Sequence, residues 1–188
     1  MSDIIELSRP ETAVSHFLKR YPTERRRSRM KPHYEAMLAE VTQLAAPRAI
    51  AQEFSLDKLP GIQHLFTNET VSVVLALCTL GASLDKRQTE LIQEDLMLAV
   101  ILDEITLAWV VAGTREIHGQ VRQKMGQQGL KAGPAYRPGV GRWPLTAQYT
   151  IFDLLPTHLI EVSLNDAAVM FPRMSTSLII PIMDRHPL

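Results

Sequence analysis

The segment from Asp95 to Gln128 reads as one long helix whose first half is almost wholly apolar. Between Leu96 and Ala112 only Asp103 and Glu104 are charged, Asp95 stands at the entry and Gly129 at the exit. An element of that length and polarity needs most of its surface covered by the rest of the chain. Gly113, Gly119 and Gly126 lie inside it. Each costs up to ~1 kcal/mol relative to alanine, and small residues there allow close backbone packing. Asp103 and Glu104 read as the solvent side of the helix or as partners of a cation. They also interrupt the apolar run before the ~20 residues a membrane span needs, so no membrane segment is expected.

Other elements follow from local pattern. Thr70–Leu80 is rich in β-branched residues and ends at Gly81, which predicts a buried strand. Ser83-Leu84-Asp85 opens a helix over about 84–94. Upstream, Pro10-Glu11-Thr12 starts a helix carrying Val14, Phe17, Leu18 and Tyr21 at helical spacing, and Pro22 ends it. A second helix over about 32–46 places Tyr34, Met37, Leu38, Val41 and Leu44 on one stripe. Ala49–His64 gives no clear element and is cut by the turn dipeptide Pro60-Gly61. Downstream, Thr146–Leu155 predicts a helix, His158–Leu164 a half-buried strand, and Met170-Phe171-Pro172 with Ser175–Ile182 a final extended pair. Helices early and strands late predict an α+β fold. The expected division is a helical arm with a basic cluster over 1–45 and an α+β domain over 46–188.

Composition removes several functions. Twenty basic and twenty acidic side chains balance, so the chain has no global attraction to nucleic acid or acidic membranes. Cys78 is the only cysteine, which excludes a disulfide scaffold and a Cys-rich metal site; it reads as a buried, inert thiol. Met1–Glu6 carries acids where a secretory leader would carry bases, so a cytoplasmic location is expected. No two of the six histidines stand at i, i+3 or i, i+4, and no metalloprotease, nucleophile-elbow or P-loop motif is present. His118 reads as a surface or hydrogen-bonded core residue. The basic run Arg25–Lys31 reads as a solvated helix face or linker; an acidic protein is the next reading, and nucleic acid the last, since no aromatics are interleaved for base stacking.

Function concentrates in Gly129–Pro144, which holds four glycines and three prolines. Glycines let backbone N–H groups approach a ligand, and prolines fix the loop shape in advance. Trp143 suits an apolar or heterocyclic face, and Tyr136 and Arg137 supply polar contacts. An Ω-loop sealed by Trp143 for purely structural reasons fits the same residues equally well.

Arg137-Pro138-Gly139-Val140-Gly141-Arg142-Trp143-Pro144-Leu145 resembles the Ser/Ala-Pro-Gly-Tyr-Gly-Asp-Trp-Pro loop of the methionine synthase activation domain and its small standalone relatives. Leu77-Cys78-Thr79-Leu80-Gly81 with Leu84-Asp85 is similar to that family's strand ending in Thr-Leu-Gly. Leu102-Asp103-Glu104-Ile105 is similar to the opening of its long helix. Ile160–Leu164 and Met170–Ser177 resemble its closing segments, so the likeness runs in order over about residues 45–183. It implies an α+β domain with a twisted antiparallel sheet and flanking helices, binding S-adenosylmethionine in the Gly/Pro loop. Such a domain supplies the methyl group while a flavodoxin-type donor reduces inactive cob(II)alamin. The implied partner is a corrinoid-binding methyltransferase that carries the cobalamin, with no nucleic acid or membrane; homo-oligomerisation stays open. The implied ligand contacts are Tyr136, Arg137, Pro138, Gly139, Val140, Gly141 and Trp143, with Ser175 and Ser177 lining the cleft. Three positions depart from the family: Ala135 stands where its arginine is expected, Val140 where its tyrosine is, and Arg142 where its acid is. A docking module with a degenerate ligand site is the alternative function.

Overall fold

The computed structural model describes residues 3–8, 17 and 19–184. The expected helix start at Pro10–Val14 and the position of Leu18 lie outside those residues. Five strands form one antiparallel sheet in the order β1 (Asp3–Glu6), β2 (Arg48–Ser55), β3 (Thr70–Thr79), β7 (Ser175–Asp184), β4 (Leu130–Ala132). A separate two-stranded ladder joins β5 (Ser163–Leu164) to β6 (Met170–Phe171). Among the described residues Phe17, Lys19 and Arg20 are helical, and four longer helices follow: α1 (Glu24–Leu44), α2 (Ser83–Glu94), α3 (Leu96–Gln127) and α4 (Ala147–Leu154). The α+β expectation holds.

The central pair β3–β7 is buried on both faces, which is why it reads as near-continuous apolar sequence. Successive side chains alternate between two cores. Val73, Leu75, Leu77 and Ile179 face a core made with α4, Trp143, Leu59 and Ile62. Val74, Ala76, Cys78, Leu178, Ile180 and Ile182 face α3 through Ile117, Val121 and Met125. A third core lies among α1, α2 and the first half of α3, around Met37, Val41, Leu84, Leu102, Ile105 and Trp109.

The helix α3 begins as its sequence dictates, the Asp95 carboxylate accepting from the Met97 and Leu98 N–H groups. By length and apolar composition this helix is long enough to cross a membrane, which corrects the expectation that its two acids rule this out. Half of its most apolar window is nonetheless covered within the fold. Of its interior glycines only Gly113 works as a close-packing site, since a Cβ there would stand 2.9 Å from Leu7 Cδ1; nothing lies within 4 Å at Gly119 or Gly126. Glu104 pairs with Arg20 at 2.8 Å and Asp103 approaches Arg173 at 3.9 Å, so both acids meet cations.

Three expectations are corrected. The helix expected from about 32 starts at Glu24, so the basic run is helical and Pro32 lies inside the helix. The unassigned stretch after Pro47 is β2, paired along its whole length with β3; Ala49, Ala51, Gln52 and Glu53 are weak strand formers that the ladder overrides. His158–Leu164 is not a strand. It is a 3-10 turn over Thr157–Ile160, followed by Glu161 in the left-handed region at φ 56° and then only the two residues of β5. Ile160 and Val162 are both buried, so the turn reproduces an alternating pattern without a ladder. The segment expected as a helical arm gives the sheet its edge strand β1 and gives the helical core Tyr34, Met37 and Val41.

Candidate functional site

The Gly/Pro segment begins where α3 ends. Gly129, at φ 77°, reverses the chain, and Leu130–Ala132 adds to the free edge of β7. Gly133 N–H then donates to Pro181 O at 2.8 Å, and Tyr136 exchanges both backbone hydrogen bonds with Ile179 at 2.8 and 2.9 Å. Gly133 is required by packing, since a Cβ there would stand 2.9 Å from the Pro181 ring. Beyond Tyr136 the chain leaves the sheet. Gly139 (φ 83°) donates to Trp143 O at 2.9 Å and Trp143 N–H to Val140 O at 3.2 Å, closing a tight loop with Gly141 (φ 61°) at its tip.

The expected ligand residues part company here. Tyr136 and Trp143 stack at 4.9 Å between ring centroids, with Phe66 at 5.3 Å, and Trp143 is only 3% exposed. Trp143 thus packs into the core beneath the loop, and Arg142 lies 5.9 Å over its ring. Arg137, the next residue after Tyr136, points to the opposite side of the sheet edge. Its Nη2 donates to Thr114 Oγ1 of α3 at 3.0 Å. Val140 is 61% exposed at the loop tip, whereas Ser177 is buried in β7. Ser175 donates to Thr79 Oγ1 at 2.9 Å, and that oxygen also accepts from Gly81 N–H at 3.1 Å.

Two concavities flank this segment. The smaller, of about 170 Å³, brings Arg137 together with Arg173, Ser175 and Thr176 against Leu107, Val110 and Val111 of α3. Arg173 is tied down by its backbone N–H, which donates to Asp85 Oδ2 at 2.8 Å. The larger groove, of about 490 Å³, lies at the start of the loop, between His118, Arg122 and Gly126 of α3 and the Leu130–Pro134 edge. No carboxylate lines it. His118 Nε2 lies 2.8 Å from Gly133 O, so that nitrogen carries the proton and ties helix to loop. Arg122 and Lys131 make no hydrogen bond or ion pair among the described residues and are exposed. Sequence reasoning missed this groove. The signal was His118 and Arg122 at i, i+4 on the long helix, a pairing that a search for histidine pairs alone passes over.

Other chemistry is sparse. Among the described residues no group of three or more His, Cys, Asp or Glu side chains is placed to hold a metal. Cys78 is 1% exposed, and burial, slightly offset by the Arg137 charge, pushes its thiol up to about 12; it is inert as expected.

No protein-family model matches the chain, and no curated protein matches it by sequence. Among solved structures, the MetH reactivation domain bound to AdoHcy superposes with a TM-score of 0.71 at 13% identity, over 100% of this chain and 80% of that one. The ordered motifs of the sequence and the sheet they build therefore lead to one conclusion: this chain has the fold of the MetH reactivation domain.

Proposed function

We propose that the chain is a reactivation module for a corrinoid-dependent methyltransferase of the methionine synthase type, holding S-adenosylmethionine along the Gly133–Gly141 edge. The observation that carries the reading is the full-length likeness to a reactivation domain bound to AdoHcy, combined with a ligand-sized groove at the start of the same loop. A cavity of about 490 Å³ lies within the ~300–1,000 Å³ range of small-molecule sites, whereas about 170 Å³ falls below it. The groove's cations suit the ligand's carboxylate, and Gly141, with nothing within 4 Å of a Cβ position, leaves the loop tip open to a neighbouring group. When bound, S-adenosylmethionine supplies an electrophilic methyl group; this chain's part is to hold and orient it against a corrinoid carried by the partner. No acid, base or nucleophile is needed for that task.

The test adds the chain to a cobalamin-dependent methionine synthase that lacks its own reactivation domain and has been oxidised to cob(II)alamin, with reduced flavodoxin and S-adenosylmethionine. Recovery of turnover that depends on the chain supports the reading; the same recovery rate without it overturns it. A second reading, a docking module without ligand, is favoured by one observation. The two polar side chains expected to reach the ligand are otherwise engaged, Tyr136 with Trp143 and Arg137 with Thr114. It predicts binding to the methyltransferase that is indifferent to S-adenosylmethionine.

A further inference from the structure

We infer that Arg122, on α3, is the residue that recognises the carboxylate of the S-adenosyl ligand, a role the loop itself no longer offers. The inference rests on the S-adenosyl reading above. The loop carries Ala135 where the resembled family has an arginine, and its own Arg137 is bonded to Thr114 on the far side of the sheet edge. Arg122 lines the larger groove at the start of that loop, is exposed, and has no partner among the described residues. Lys131 lines the same groove from β4, also without a partner, and His118 donates from Nε2 to the loop carbonyl at 2.8 Å.

Two features make this more than a solvated basic face. First, Arg122 of α3 and Lys131 of β4 line the same groove with no acid among its lining, and the His118 N–H, one helical turn before Arg122, is already given to Gly133 O. Two like charges facing one groove repel, and an anion between them relieves the repulsion. Second, the helix wall of the groove leaves room at Gly126, where a Cβ would meet nothing within 4 Å, while the opposite wall is held in place by Gly133 packed against Pro181. A guanidinium presents two parallel N–H donors that match a carboxylate, which a point-charge ammonium does not, so Arg122 is the recognition residue and Lys131 the supporting charge.

The test is calorimetric titration of the full chain with S-adenosylhomocysteine and with 5′-methylthioadenosine, which keeps the nucleoside thioether but lacks the carboxylate. The expected result is that Arg122→Ala weakens S-adenosylhomocysteine at least tenfold and leaves 5′-methylthioadenosine within twofold, with Arg122→Lys intermediate. Because the side chain is exposed, the variant should fold, and its circular dichroism spectrum checks this. If the wild-type chain binds S-adenosylhomocysteine and Arg122→Ala binds it equally well, the carboxylate assignment falls while the ligand reading stands. A loss at Arg137→Ala that matches or exceeds that at Arg122→Ala overturns the assignment in favour of the smaller cleft. If the wild-type chain binds neither compound, both readings fall together.

Discussion

Trp143 shows how a residue that looks like a ligand platform becomes part of the foundation. Its ring is 3% exposed, Tyr136 stacks on it, and its Nε1 is buried without a hydrogen-bond acceptor. Trp143→Phe removes that unpaired donor and keeps most of the packing, so it should cost less than about 1.5 kcal/mol, whereas Trp143→Ala should cost about 3–5 kcal/mol. Urea denaturation of the two variants measures both. Cys78 and Tyr34 carry a second prediction at this scale. Burial raises the Cys78 thiol from 9.0 to about 12. Burial, then the Glu104 and Tyr21 charges, raises the Tyr34 phenol from 10.0 to about 12. In both cases the folded state holds a proton that the unfolded chain releases at lower pH. Stability is therefore full below about pH 9 and falls as pH rises from there toward 12. Denaturation midpoints should drop between pH 8 and pH 10.5, and Cys78→Ala should flatten the earliest part of the decline.

At the scale of elements, α1 and α3 each contain a local choice that opposes the helix. Pro32 is exposed inside α1, where it removes a backbone donor and crowds the preceding turn. Pro32→Ala should stabilise the protein by about 1–3 kcal/mol, and Gly119→Ala, at an open position of α3, by roughly 0.5–1 kcal/mol. Thermal unfolding of the single variants reads both. Periodic helices and the β3 and β7 strands were legible because their signal is local: Asp95 caps α3, Pro47 follows α1, and β-branched residues fill β3. The strand β2 was not legible, because Ala49–Glu53 becomes extended only through its ladder to β3. The 3-10 turn at Thr157–Ile160 was misread for the opposite reason: burying Ile160 and Val162 mimics a strand's period without its partners. For the site, the Gly/Pro loop was visible in sequence. The groove beside it was not, because it depends on α3 and β4 meeting across the end of the sheet.

For the whole molecule, the sheet order places the short strand β4 at one edge and brings the C-terminal half of α3 alongside it, which creates a groove where the loop departs. The likeness to the MetH reactivation domain extends over the whole chain although identity is only 13%, so the same fold is built here from largely different side chains. The proposal that this edge of the fold holds an S-adenosyl ligand is tested by a backbone amide shift map of the full chain titrated with S-adenosylhomocysteine. Binding there gives saturable shifts clustered at Gly133, Gly139 and Gly141 and along His118–Gly126 of α3. No shifts up to millimolar ligand, or shifts confined to the basic first turns of α1, would contradict it.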